Sequence, residues 1–400
     1  MPSALAPMLA AVLMAAAPGF SEGRQAAAAA QAQDSAEVAF LRASARAIAH
    51  GKRDEAAALA RARGDRDEAG AAVRARLAAD RGDFDAAAAL AAPASAAAPT
   101  GEAALEWGRI LFQQGKKAEA RRVLAPVAAG SRSVTTADGL LRVARAAQAL
   151  GQVRTANALF RETVAAAAKD PTLLAAANVA WGESFLDIHD AANAVASFRA
   201  ALAADGEWAP AHAGLARALA DENPPAAAAA ARRALEIDPA LVGAHLFLAG
   251  EALAADRKAE AQGHLARALA ANPTSAEAHA LAAAIAYVDG RTADHDAAVA
   301  RALAVNPVYG DLYRIVAAHA ASNYFYDDAV VMARKAVALE PDNPRTQAAL
   351  GLHLLRVGDE RGARRALETA FRADAYDVVT YNLLQMLDSL DGFDAIEAGA

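Results

Sequence analysis

The sequence has no cysteine. That excludes disulfides, thiolate catalysis, cysteine metal sites and lipoprotein attachment, and it leaves the redox compartment open. Aromatic residues are only 5% of the 400 residues, so large core side chains are scarce. Apolar runs are short as well. Ala4 to Ala17 is the longest near the N-terminus, and it falls short of a comfortable bilayer span. No basic stripe with interleaved aromatics occurs, and at a net charge of −7 nothing reads as a nucleic-acid surface. Chemistry is equally sparse. There is no glycine-rich phosphate loop, no nucleophile elbow and no His-Glu-x-x-His helix. The sequence therefore implies no catalytic residue, cofactor, metal or small-molecule substrate.

What the chain does have is alanine, which dominates its 56% hydrophobic content. Alanine has the highest helix propensity and the smallest apolar side chain. Ala-rich helices approach one another closely, yet each buries little area. Many modest contacts must add up, which suits an array of stacked units better than one enlarged core.

A period of 34 residues runs through the chain. One ladder is Ala166, Ala200, Ala234, Ala268, Ala302, Ala336 and Ala370. A second, five residues on, is Pro171, Asp205, Pro239, Pro273, Pro307, Pro341 and Ala375. Others are Ala227, Ala261, His295, Ala329 and Ala363, then Ala249, Ala283, Ala317 and Gly351. A turn ladder runs Asp256, Gly290, Tyr324, Gly358 and Gly392. Proline pushes its predecessor out of the helical region, so it punctuates helix ends. Glycine at a tight turn takes the left-handed conformation cheaply. Each repeat is thus two helices. Small residues set their spacing, and Leu248, Val316, Leu350, Leu235, Leu269, Leu303 and Val337 fill the seams.

These residues resemble the tetratricopeptide repeat. Trp107-Gly108, Trp181-Gly182 and Leu350-Gly351 match its large-small pair. Gly115 to Ala120 and Gly82 to Ala87 match its turn into the second helix, and Ala234 to Pro239 matches its closing stretch. The resemblance covers about residues 37 to 392, roughly ten repeats. It implies an all-α solenoid of antiparallel helix pairs wound into a right-handed superhelix. Residues 37–99 read as irregular N-terminal repeats, 101–171 as degenerate ones, 172–375 as regular ones, and 376–400 as an incomplete terminal repeat. Ala92 to Thr100 reads as a looser linker, and the repeat from Val134 to Pro171 as having a second helix one turn longer. Asn223-Pro224-Pro225 replaces a turn glycine, with Pro225 fit to start a helix.

Members of such a family bind along the concave face. By that resemblance the face holds Leu246, Leu253, Tyr287, Val288, Leu352, Leu355, Arg356, Met386 and Leu390, an apolar stripe with few charges. The family's clamp for acidic C-terminal tails needs Lys, Asn and Arg. The matching places here hold Leu246, Gly250, Ala280, Glu277 and Ala284. The expected partner is accordingly a protein: an apolar peptide, a helix or an adjacent domain. Alternatively, the same side chains simply fill seams between helices.

Several histidines need placing. His189-Asp190 and His295-Asp296 are neighbours whose side chains diverge on a helix. His245 with His279, and His319 with His353, recur at the repeat spacing. Each pair reads as seam histidines, with metal binding or pH sensing as the sharper alternative. At the N-terminus, Ala4–Ala17 with Ala30-Gln31-Ala32 is similar to a secretory signal and its cleavage site over residues 1–32, although no Lys or Arg precedes the run, and a disordered Ala-rich leader is the alternative reading. Export to the periplasm or beyond is the expectation, with a cytoplasmic location as the alternative. At the other end, Tyr381-Asn382-Leu383-Leu384 and the run Leu387 to Phe393 are similar to the junction that precedes gluzincin-type zinc metallopeptidase domains in bacterial proteins. That resemblance implies a repeat arm of a larger enzyme.

Overall fold

A computed structural model describes residues 35–130, 134 and 136–390. The N-terminal run, its cleavage site, and Gly392 and Phe393 lie outside them. All the regular structure among the described residues is helical. The helices are α1 (35–49), α2 (Arg53–Ala62), α3 (Glu68–Asp80), α4 (Phe84–Ala97), α5 (Glu102–Gln113), α6 (Lys117–Ala129) and α7 (Ala137–Ala149). They continue with α8 (Val153–Ala166), α9 (Pro171–Leu186), α10 (Ala191–Ala204), α11 (Ala209–Leu219), α12 (Pro224–Ile237), α13 (Val242–Ala254) and α14 (Lys258–Ala271). The last are α15 (Ala276–Val288), α16 (Thr292–Val305), α17 (Gly310–Ser322), α18 (Tyr326–Leu339), α19 (Pro344–Arg356), α20 (Glu360–Ala373) and α21 (Val378–Leu390). From Pro224 onward the helix bounds themselves advance by 34, and second helices of 14 residues follow first helices of 13.

From α3 to α19 each odd helix packs antiparallel on the even helix that follows it, and these odd helices also stack on one another. From Ala234 onward the ladders lie where close approach demands them, whereas Ala166 and Ala200 are exposed and their neighbours Ala167 and Ala201 take the buried place. Ala234, Ala268, Ala302 and Ala336 have no exposed surface. The turn residues Asp256, Gly290, Tyr324 and Gly358 have φ of 56°, 71°, 67° and 82°. Residues before the closing prolines are extended, with Asp238 at φ −129° and Asn272 at −141°.

Three expectations are corrected. Ala92 to Thr100 is not a linker over most of its length, because α4 runs through Pro93 to Ala97. Proline's fixed φ fits a helix, and near the C-terminal end its lost hydrogen bond is one of few remaining. The extra turn assigned to α8 belongs to α9: α8 has 14 residues like other second helices, and α9 has 16. Both Pro224 and Pro225 lie inside α12, whose N-terminus is capped by the Asn223 side chain accepting from Ala226 N–H at 3.2 Å.

The superhelix also closes on itself. The residues that precede the repeat-closing loops form a polar column: Asp170, Asp205, Asp238, Asn272, Asn306, Glu340 and Asp374. Residues of earlier repeats reach this column from the facing superhelical turn. Arg42 binds Asp170 at 2.5 Å, and His50 meets Asp205 at 2.8 Å. Arg53 donates twice to Asp238, at 2.6 and 2.7 Å. Thr274, two residues past Asn272, donates to Gly82 O at 2.9 Å. Lys117 pairs with Glu340, and His189 with Asp374 at 3.1 Å. These partners lie 128 to 223 residues apart, with Arg53 and Asp238 separated by 185, so the turns meet after roughly four to six and a half repeats. The turn glycines Gly51, Gly82 and Gly115 lie so close to this column that an added Cβ would strike Asp238, Asn272 and Asn306 respectively. Gly290 and Gly358, farther along, have nothing near their missing Cβ. No described helix is long and apolar enough to cross a membrane.

Candidate functional site

The stacked odd helices line the inside of this closed superhelix. One register position governs the lining: the residue directly after the small seam residue of each odd helix. After Ala75, Gly108, Ala144, Gly182 and Ala216 it is Arg76, Arg109, Arg145, Glu183 and Arg217. After Ala249, Ala283, Ala317 and Gly351 it is Gly250, Ala284, Ala318 and Leu352. The first half of the lumen register is charged and the second half is neutral.

Arg76, Arg109, Arg145 and Glu183 line one cavity of about 420 Å³. A second, of about 490 Å³, is walled by N-terminal helices and by the repeats between Pro210 and Tyr309, including Arg76, Asp80, Phe112, Leu246, Glu277 and Tyr309. Arg76 also borders a narrow pocket with Glu102, Glu106, Arg142 and Arg145. Many of these charges are paired. Arg42 bridges Asp138, at 3.0 and 2.6 Å, and Asp170. Arg142 binds Glu102 at 3.0 Å, and Arg109 binds Glu106 at 3.0 Å. Arg217 pairs with Glu183.

The side chains of Asp80, Arg109 and Glu277 touch lumen water yet are surrounded by protein. Their electrostatics follow the enclosure more than the local wetting. Burial raises the pKa of Asp80, of Glu102 and of Glu277. Burial, with the neighbouring Arg76 and Arg109 cations, pushes Arg145 down to about 10. Hydrogen bonding to Asp138 raises Arg42.

The residues expected on the groove separate. Leu246 borders the larger cavity, although it is 7% exposed and packs with Leu265, Ala268 and Ile285. Leu253 joins the same cluster. Tyr287 packs into the next one, with its ring 5.2 Å from His295. Leu355 packs against Val330, Leu354 and Ala363. Val288 and Leu352 are half-buried, and Arg356 is exposed beside His353. Met386 and Leu390 are exposed on α21. Seam packing thus claims Leu253, Tyr287 and Leu355. The expected stripe with few charges does not describe the N-terminal half of the lumen, where the arginines and carboxylates sit. A signal for them was present, but Arg76, Arg109, Arg145, Glu183 and Arg217 recur at 33, 36, 38 and 34 residues. That drift hides them from a search at a fixed period.

The histidines have structural work. His245 Nε2 donates to Pro239 O at 3.0 Å, and His279 Nε2 to Pro273 O at 2.8 Å. Gln347, in the same column, donates to Pro341 O at 2.8 Å. This column ties each first helix to the proline loop before it. His295 Nδ1 donates to Ala283 O at 2.9 Å, satisfying the ring where alanine was expected. Asp190 caps α10, while His189 is left-handed at φ 59°. Among the described residues no group of three or more His, Asp or Glu side chains is arranged to hold a metal ion.

His353 is buried, and burial followed by the Arg356 cation pushes its pKa down to about 4. The folded-state value lies below the unfolded one. Its contribution is therefore complete above about pH 6.5 and is lost as pH falls toward 4. His353→Gln is expected to remove that component, at most about 3 kcal/mol. Thermal melts of both proteins between those limits check it.

No protein-family model and no curated protein matches the sequence. Solved structures do match. The APC/C hetero-tetramer Cut9–Hcn1 aligns at TM-score 0.52 and 14% identity, over 86% of this chain and 68% of that chain. Yeast Tom70 aligns at 0.47 and 14% identity, over 90% and 89%. A tetratricopeptide repeat protein from Parabacteroides merdae aligns at 0.44 and 14% identity, over 63% and 98%. The fold is a tetratricopeptide-type solenoid. In this solenoid α21, which holds Tyr381 to Leu390, is another first helix that packs on α20.

Proposed function

We propose that this solenoid is a non-catalytic scaffold that holds a protein segment along its inner face. The observation that carries the reading is the lumen itself. Side chains from successive inner helices converge on shared cavities, as Arg76 does on three of them. A surface assembled from several rigid repeats suits an extended partner, whose side chains are read one repeat at a time. The neutral C-terminal register of Gly250, Ala284, Ala318 and Leu352, with Leu246 at the cavity border and Val288, Arg356, Met386 and Leu390 beside it, would take apolar side chains. The charged N-terminal register would take polar ones.

Leu352→Glu tests the apolar half. Leu352 is half-buried and in no core cluster, whereas Leu355 packs against Val330 and Ala363, so Leu352→Glu is the cleaner change. Capture of a cross-linked partner from source-cell extract is expected to weaken by roughly tenfold or more, with the helical circular-dichroism signal unchanged. Capture at wild-type affinity would remove Leu352 and its neighbours from the binding face.

A further inference from the structure

We propose that Arg76, Arg109 and Arg145 form a binding site for a small multivalent oxyanion inside the lumen. This goes beyond the scaffold reading, since such an anion would bind whether or not a protein segment is also held.

The three arginines come from the successive inner helices α3, α5 and α7, and they line the same cavity of about 420 Å³. That volume lies within the ordinary range of small-molecule sites, about 300–1,000 Å³. The carboxylates around them are mostly committed. Glu102 bonds Arg142 at 3.0 Å, and Glu106 bonds Arg109 at 3.0 Å. Glu183 bonds Arg217, and Asp187 accepts from the Gln148 amide at 2.8 Å. Asp80 faces Arg76 and Arg109 without a hydrogen bond, and burial favours its protonated form. Arg76 and Arg145 make no ion pair with any described residue. Two guanidinium groups with all their donors free, and a third with donors to spare, therefore face one space.

An enclosed cation without a counter-ion is unfavourable. Here the like charges of Arg76 and Arg109 lower the proton affinity of Arg145, yet at about 10 its pKa leaves it charged at neutral pH. A bound oxyanion would relieve the repulsion and supply the missing acceptors. Guanidinium is the side chain best shaped for that, because its planar fork meets carboxylate or phosphate oxygens two at a time. The cavity floor includes Ala149, Val179, Ala180 and Pro210, which would admit a short hydrocarbon body between the anionic groups.

Titration calorimetry with citrate and with inorganic pyrophosphate, against chloride at matched ionic strength, tests the site. The expected result is one saturable site for citrate, pyrophosphate or both, with chloride inert. Citrate alone would assign carboxylate chemistry, and pyrophosphate alone phosphate chemistry. Arg145→Gln and Arg76→Gln are each expected to weaken binding by roughly tenfold or more, while Arg145→Lys keeps part of it. Without ligand, Arg145→Gln is expected to melt no lower than wild type, because it removes an unpaired enclosed charge. Absence of saturable binding by both anions overturns the proposal. So does affinity that is unchanged in folded Arg145→Gln and Arg76→Gln.

Discussion

Phe198→Ala is expected to cost about 3–5 kcal/mol, seen as a lower denaturation midpoint. Phe198 in α10 is fully buried, and it reaches its position because two glycines make room. Gly182 in α9 and Gly214 in α11 both face the ring, and a Cβ on either would strike it. One aromatic side chain therefore fills the space where three helices meet, and alanine would leave a void the backbone cannot close. The converse change, Gly182→Ala, overpacks the same space and should cost about 1–3 kcal/mol. In a repeat array the loss falls on the coupling between neighbouring units, so it should appear as a broadened as well as an earlier transition. A Phe198→Ala midpoint within about 0.5 kcal/mol of wild type would show that the seam is not packed as described.

Arg53→Ala should be nearly as damaging, at about 2–4 kcal/mol, for an electrostatic reason. Asp238 is 2% exposed and receives both Arg53 donors. Its other contact is the Ala240 N–H at 3.1 Å. Removing the guanidinium strands a carboxylate where water scarcely reaches. Because the pair is largely enclosed, added salt should rescue or weaken it little. The double variant Arg53→Met with Asp238→Leu should recover most of the loss, since the cost is that of an unpaired charge. If the double variant is as unstable as Arg53→Ala, the loss comes from packing rather than from the stranded carboxylate.

These two sites differ in how far the sequence revealed them. The seam around Phe198 was legible in kind: Trp181-Gly182 announced a large-small pair, and alanine ladders announced close helices. The helix bounds after Pro224 follow directly from the proline and turn columns, because local dihedral preferences act within a few residues. Pairing of Arg53 with Asp238 was not legible, since no local rule links residues 185 apart. Yet half of the pairing stood in plain view. A polar residue precedes nearly every closing proline, and the column from Asp170 to Asp374 had no explanation until the superhelix was seen to close. The lumen charges were hidden differently. Arg76, Arg109 and Arg145 lie in the irregular repeats, where drift in repeat length breaks the register. Alanine abundance also blurred the boundary at Ala92 to Thr100, where high helix propensity carries α4 past a proline.

An enclosed lumen requires that the first and second turns of the superhelix touch. The absence of native cysteine makes that directly measurable. Spin labels on Lys52→Cys and Pro239→Cys flank the Arg53–Asp238 contact, on exposed positions of the two facing loops. Pulsed dipolar spectroscopy is expected to give one narrow distribution at the short limit of the method, broadened in Arg53→Ala. An open array of five and a half repeats would instead separate the labels by on the order of 50 Å, given helix spacings near 10 Å. A broad or long distribution in the unmutated background would contradict closure, and with it the enclosed lumen.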